Sequence, residues 1–189
     1  MGKLISLINV TLDGFCDSQY VNANAEFHEF VHTLLADAHT VAFGRGTFEM
    51  FQMVWPGVLA NPDSPASQVK IAQALNDIHK IAFSGSLQQI SWPNSKIVAH
   101  ADTENIRKIK ASGNKNLLTI GSPGLVAELT ALGLVDEYYF SVQSVIAGSG
   151  NSRLFSKQIL PERQPLQFID SRPLASGVQI LHYGNPAVQ

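Results

Sequence analysis

Short, nearly continuous apolar runs alternate along this chain with segments whose apolar residues recur every three or four positions. The first pattern reads as strands buried on both faces, the second as amphipathic helices laid against them. Leu4–Leu12 opens as a buried strand that Asp13-Gly14 ends, and a polar loop covers Asp17 to Asn24. A helix starts near Ala25, with Phe27, Phe30, Val31, Leu34, Leu35 and Ala38 on one stripe. His39–Phe43 is a short strand that runs into Gly44-Arg45-Gly46 and a helix through Met53. Pro56, Pro62 and Pro65 mark a loop. Ser64-Pro65 predicts the next helix start, with a capping hydroxyl before a proline at the first helical position, and that helix runs to about Asp77.

The alternation continues with strands at Lys80–Ser84 and Lys96–His100, a helix at Thr103–Ala111 and a strand at Asn116–Ile120. Gly121-Ser122-Pro123-Gly124 then opens a helix carrying Leu125, Val126, Leu129 and Leu132, which Gly133 ends. Glu137–Ala147 reads as one long strand, broken by Gly148-Ser149-Gly150. Gln167–Ser171 and Val178–Tyr183 flank Ala175-Ser176-Gly177 as a hairpin. Strand–helix alternation closed by a hairpin predicts an α/β fold: a mostly parallel central sheet, flanked by helices, with antiparallel edge strands. No linker interrupts it, so residues 1–189 are read as one domain.

Composition narrows the function classes. The chain has 189 residues, 45% apolar and 15% charged, a balance suited to a folded core and unsuited to disorder. Its formal net charge is −2 and no Lys/Arg block marks a nucleic-acid or membrane surface. Cys16 is the single cysteine, so no internal disulfide forms. The Met1–Lys3 start lacks a secretory pattern, and no apolar run approaches the roughly 20 residues that cross a bilayer. The expected compartment is the cytoplasm.

In open parallel sheets, ligands bind beyond the carboxyl ends of the strands. Three predicted strands end in small polar turns: Gly44-Arg45-Gly46-Thr47, Ser84-Gly85-Ser86 and Gly121-Ser122-Pro123-Gly124. Two of them open directly into helices, whose first N–H groups and positive dipole end favour phosphate. Arg45 adds a fixed charge with a planar fork of donors. Each turn alone is explained by turn chemistry, and none is a P-loop or a GxGxxG fingerprint. Their recurrence at successive strand ends is what points to a dinucleotide, which needs several such contacts together.

Four segments carry a resemblance: ISLINVTLDGF at 5–15, VAFGRGTFEMF at 41–51, KIAFSGSL at 80–87 and LLTIGSPGLVAELTALGLVDEYYFSVQSVIAGSGNSRLF at 117–155. In this order they resemble the dihydrofolate reductase-like superfamily, in the branch shared with the riboflavin-biosynthesis reductase (RibD C-terminal) domain. The resemblance implies that fold, NADPH as cofactor, a small-molecule substrate and a homodimer. It places Gly44, Arg45 and Thr47 in the pyrophosphate loop, and Arg45 with Ser84, Gly85 and Ser86 near the adenosine 2′-phosphate. Gly121, Ser122, Gly124 and Leu125 fall in the second glycine turn, and Asn9, Val10 and Thr11 at the strand end beside the nicotinamide. Asp13, in the Leu-Asp-Gly motif, and His28, where the folate enzymes carry a carboxylate, are the candidate catalytic residues. Phe51, Trp55 and His32 are candidates for the substrate side. The implied reaction is hydride transfer to a small pterin-like or pyrimidine-like heterocycle, as in dihydrofolate reductase or 5-amino-6-(5-phosphoribosylamino)uracil reductase. His28 departs from the folate pattern. The Asp-Asn-Pro-type signature and following arginine that handle a phosphorylated sugar in the riboflavin reductases are absent, with no basic residue from Phe51 until Lys70.

His28-Glu29-Phe30-Val31-His32 also spells HExxH, in which two histidines one helical turn apart share a zinc ion and the glutamate activates its water. The extended form needs a later glycine and third histidine. Leu35 and Ala38 stand there instead, and His39 comes one place late. A zinc metallohydrolase through His28, Glu29 and His32, and a non-catalytic nucleotide-binding module, are the alternatives to the reductase.

Overall fold

A computed structural model describes residues 2–156, 160 and 162–188. Eight strands form one sheet in the order β4-β3-β2-β5-β1-β6-β8-β7. They are β1 (Leu4–Thr11), β2 (Ala38–Gly44), β3 (His79–Phe83), β4 (Ser95–Val98), β5 (Asn116–Ile120), β6 (Glu137–Gln143), β7 (Gln167–Pro173) and β8 (Gln179–Gly184). The first six run parallel to one another, while β8 pairs antiparallel with both β6 and β7. This is the mixed, mostly parallel α/β sheet that the sequence pattern predicts.

Among the described residues, five α-helices cover the sheet: α1 (Ala25–Ala36), α2 (Arg45–Ala60), α3 (Ala66–Asp77), α4 (Thr103–Ala111) and α5 (Pro123–Ala131). The apolar sides of α1, α2 and α3 bury Phe27, Phe30, Phe48, Ile71 and Leu75 against one face. On the other face, α4 and α5 bury Ile106, Ile109, Leu125, Val126 and Leu129. Both faces being covered explains why β1 and β5 read as apolar runs without alternation. Asn24 and Asp102 accept hydrogen bonds from Phe27 N and Asn105 N and so cap α1 and α4.

Besides shifts of one or two residues at several strand ends, with Ala38 opening β2 rather than extending α1, three boundaries depart from expectation. α2 continues past Met53 through Pro56 to Ala60. Its proline forgoes one helical hydrogen bond, a loss of about 3 kcal/mol, but Phe48 is fully buried and Phe51 and Trp55 pack on the same core. Ser64 forms no capping bond, and Pro65 itself stands at the cap position of α3. β6 stops at Gln143 rather than Ala147. There the backbone N–H groups of Ala147 and Gly148 donate to the carboxylate of Asp13 instead of to a neighbouring strand (3.0 and 2.8 Å).

Those bonds belong to a seam between two loops at the carboxyl end of β1 and β6. Leu12 N donates to Val145 O, Cys16 N to Ser152 O, and Asn151 N and Ser152 N to the Asp17 carboxylate. Gly150 has to be glycine here: a Cβ would stand 2.5 Å from Asp17 Oδ2 and 2.6 Å from Phe15 Cδ1. The loop from 18 to 24 is anchored separately, with Asn22 N donating to Oε1 of the buried Gln143 at 2.8 Å.

Candidate functional site

The carboxyl ends of β1, β2 and β5 converge below a cavity of about 470 Å³. One wall is made of the two glycine turns. Gly46 and Thr47 come from the start of α2, and Gly121, Ser122 and Pro123 lead into α5. They are interlocked: Gly44 N donates to Ser122 Oγ (3.0 Å) and Ser122 N donates to Thr47 Oγ1 (3.1 Å). Gly121 and Ser122 both take positive φ, +64° and +56°. The second is uncommon for a residue with a side chain, and its two hydrogen bonds hold it there.

The opposite wall is apolar and aromatic. Phe27, His28 and Val31 come from α1, Phe51 and Trp55 from α2, and Ile71 and Leu75 from α3. Asn9 and Ile8 form part of the floor, and Cys16, Ser18 and Val21 line the side made by the loops. Phe51 and Trp55 meet edge to face at 5.9 Å, and the His28 ring stands edge-on to Trp55 at 6.5 Å. Burial pushes the Cys16 thiol up to about 11, so it stays protonated near neutrality.

His28 is 7% exposed and interrupts an otherwise apolar helix face. Desolvation lowers its pKa below the ordinary histidine value of 6.5, so the ring is neutral at pH 7. Ser67 Oγ lies 3.3 Å from Nδ1. With that hydroxyl donating to Nδ1, the neutral ring carries its proton on Nε2, which has no hydrogen-bond partner among the described residues.

The residues present fit a bound dinucleotide. A Cβ built on Gly46 meets nothing within 4 Å, so the backbone at the start of α2 is open to close approach. Beside it, Arg45 Nη1 donates to Ser86 Oγ at 3.2 Å, and Ser84 Oγ accepts from Ser86 N and Leu87 N. This leaves an exposed guanidinium next to a serine-glycine-serine turn, a suitable seat for a phosphate monoester. Glu49 is 4.0 Å from Arg45 Nε and moderates that charge.

The structure distributes the sequence candidates unevenly. Asn9, His28, Thr47, Phe51, Trp55, Gly121 and Ser122 line the cavity. Arg45, Ser84, Gly85 and Ser86 form the flanking turn outside it, and Gly44 stands behind Ser122. Val10 and Thr11 do not line it, and Leu125 is buried beneath α5 against Gly44. Gly124 borders a smaller adjoining hollow of about 190 Å³ with Asn151, Ser152 and Arg153.

Asp13 does not line the cavity either. Its carboxylate accepts from Thr11 Oγ1 at 2.7 Å and from Ala147 N and Gly148 N, which hold its pKa down to about 2. A carboxylate so held is ionised at neutral pH and has no proton to give. His32 lies one turn beyond His28, about 6 Å along the helix axis, and lines a different hollow with Leu35, Ala38 and His39. Glu29 is exposed and ion-pairs with Lys70 Nζ at 2.9 Å. The HExxH residues therefore point to three different surroundings, and among the described residues no group of three or more His, Cys, Asp or Glu is placed to hold a metal.

Sequence reasoning missed Val21, Met50, Ile71 and Leu75 as lining residues. The apolar stripes of α1 and α3 look like core. The signal was His28, a polar residue set between buried Phe27 and Val31 on the same helix.

Comparison with known proteins places this geometry in context. Residues 3–180 match the family model described as RibD C-terminal domain. Among curated proteins, the uncharacterized protein YyaP of Bacillus subtilis (strain 168) is 24% identical over 192 residues, covering 97% of this chain and 95% of the relative. A putative riboflavin biosynthesis protein from Shewanella sp. PV-4 has the same fold, with a TM-score of 0.70 at 18% identity, covering 96% of this chain and 98% of that one. A pyrimidine reductase-like protein from Corynebacterium diphtheriae superposes with a TM-score of 0.61 at 12% identity, covering 97% and 91%. The diaminohydroxyphosphoribosylaminopyrimidine deaminase/5-amino-6-(5-phosphoribosylamino)uracil reductase of Thermotoga maritima does so with a TM-score of 0.66 at 15% identity, covering 97% of this chain and 56% of that one.

Proposed function

The chain belongs to the RibD C-terminal domain family, and on that premise we propose that it is an NADPH-dependent reductase of a small conjugated ring. The observation that carries the reading is the joined pair of glycine turns facing an aromatic wall across one cavity. When bound, a reduced nicotinamide supplies hydride to an electrophilic carbon of a C=N or C=O group, whose nitrogen or oxygen then takes one proton. The starts of α2 and α5 hold the cofactor's phosphates through backbone N–H groups and helix dipoles. Arg45, with Ser84 and Ser86, binds the 2′-phosphate and favours NADPH over NADH. The aromatic pair Phe51 and Trp55 flanks the substrate ring, and the apolar walls exclude water.

His28 is the group suited to the substrate's proton, which it gives in its imidazolium form, a minor fraction at pH 7 because burial lowers its pKa. It lines the cavity, and Ser67 fixes its ring. Asp13 acts on the loops instead, bracing the 12–17 segment against 145–148. The homodimer implied by the resemblance remains part of the proposal. Its support is the wholly exposed edge strand β7, which carries Phe168 and Ile169 on an open edge. No helix among the described residues is long and apolar enough to cross a membrane.

Fluorescence titration with NADPH and NADH, on the native protein and on Arg45→Ala, tests the reading. Preferential NADPH binding in the native protein, reduced toward NADH-like affinity in Arg45→Ala, is expected. Absence of binding by either nucleotide refutes it. Tight binding with no acceptor reduced across a broad panel leaves a nucleotide-binding module.

A further inference from the structure

The charge of the cavity separates it from a site for phosphorylated or carboxylated substrates. Among the described residues, none of those lining it is Lys, Arg, Asp or Glu. Its two titratable groups are Cys16, held as a thiol, and His28, held neutral near pH 7, both by burial. Of the basic side chains nearby, Arg45 stands on the flanking turn proposed for the cofactor, and two others are occupied elsewhere. Lys70 pairs with Glu29. Arg153 donates to Asp13 O at 2.6 Å and lies over the Phe15 ring at 4.6 Å, beside the adjoining hollow rather than in the cavity. An anion placed between Phe27, Val31, Ile71 and Leu75 would lose its hydration with no compensating charge.

We infer that the substrate is an uncharged, planar conjugated ring with one hydrogen-bonding heteroatom, lacking phosphate and carboxylate, seated between Trp55 and α1 with that heteroatom on His28. This deepens the reductase reading and rests on it for the reaction, though not for the binding. The rings of Phe51, Trp55 and Phe27 supply aromatic contact and area burial. The polar wall formed by Gly46, Thr47 and Ser122 remains free for the cofactor. His28 Nε2 is then the one directional contact from the apolar wall, and it fixes which way round the ring sits.

The test is a matched pair of ligands read by tryptophan fluorescence. Trp55 lines the cavity, while Trp92, the other tryptophan, is 3% exposed in the core. Quenching by quinoline and by its carboxylate derivative is compared, with uridine monophosphate as a phosphorylated pyrimidine ligand and Trp55→Phe as the signal control. The uncharged ring is expected to bind about tenfold or more tightly than its carboxylate. Met50→Lys, which adds a cation to the half-buried wall of α2, is expected to narrow that ratio.

Equal or tighter binding of the carboxylate, or of uridine monophosphate in a form that saturating NADPH does not displace, overturns the inference. If that anionic binding is lost in Arg153→Ala, the adjoining hollow is the seat of the charged group. An unchanged ratio in Met50→Lys, confirmed folded by circular dichroism, also overturns it, because charge would not be the discriminator. Failure of the reductase reading looks different: the uncharged ring quenches Trp55, but NADPH neither binds nor is oxidised in its presence.

Discussion

Gly46→Ala sets stability against binding at one position. Gly46 occupies the first turn of α2 with an ordinary helical backbone, and an added Cβ would meet no atom within 4 Å. Alanine there reduces the freedom of the unfolded chain without strain in the folded one. The gain is about 0.5–1 kcal/mol, which for a chain of this length raises Tm by about 1–4 °C. The same methyl stands where the proposed pyrophosphate must approach the N–H groups of the helix start. Holding it off weakens one or two charge-assisted hydrogen bonds worth roughly 1.5–3 kcal/mol each, so NADPH affinity falls by about tenfold or more. Thermal melts without ligand measure the first effect. Fluorescence titration, or the NADPH-dependent rise in Tm, measures the second. A variant that is more stable yet binds NADPH as the native protein does would refute the assignment of this helix start to the cofactor. A variant that melts lower would refute the premise of open space.

Three further perturbations follow from the same geometry. Because burial lowers the pKa of His28 from 6.5, the rate of substrate reduction at saturating NADPH should fall as pH rises through that lowered pKa, already declining below pH 6.5, and His28→Gln should flatten the profile. A profile unchanged in the variant removes His28 from proton delivery. Asp13, held near 2 by Thr11 and the backbone of Ala147 and Gly148, contributes stability that is full above the ordinary carboxylate value of 3.8 and lost as pH falls toward 2. Acid titration of Asp13→Asn by circular dichroism should therefore lose part of that slope while binding at neutral pH changes little. Lys80 is 1% exposed, donates to Leu75 O, Asn76 O and Ile78 O, and lies over the Trp92 ring. Lys80→Met removes the cap on α3 and should cost roughly 1–3 kcal/mol in urea unfolding; a loss below measurement would show those carbonyls satisfied by water.

Much of the scaffold was legible because local signals and packing agreed. Thr103–Ala111 and Asn116–Ile120 have the bounds read from sequence, with Asp102 capping the former. Where a distant partner decides the outcome, the local pattern misleads. β6 looks apolar as far as Ala147, but Asp13, far away in the chain, takes the N–H groups its last residues would have offered a neighbour. Pro56 reads as a break, but burial of Phe48, Phe51 and Trp55 carries α2 past it. For the site, the glycine turns were legible as strand-end chemistry. The aromatic and apolar wall was less so, because Val31, Ile71 and Leu75 are the same residue types that fill a core. His28 and His32 share a helix face in projection, but the axial rise between them puts them in different hollows.

The last of the described strands in chain order is not at the edge of the sheet. β8 lies between β6 and β7 and is hydrogen-bonded to both. During synthesis β6 therefore waits with an open edge, and β7 emerges before the strand that will attach it to the sheet. The outer third of the sheet closes only when residues 179–184 are free to thread into place, a non-local step that slows folding and prolongs exposure of unpaired edges. Truncation just before Gln179 would open the edge of β6 and leave β7 without its pairing partner. Proteolysis in this short segment thus disables far more of the molecule than its position near the end of the sequence suggests.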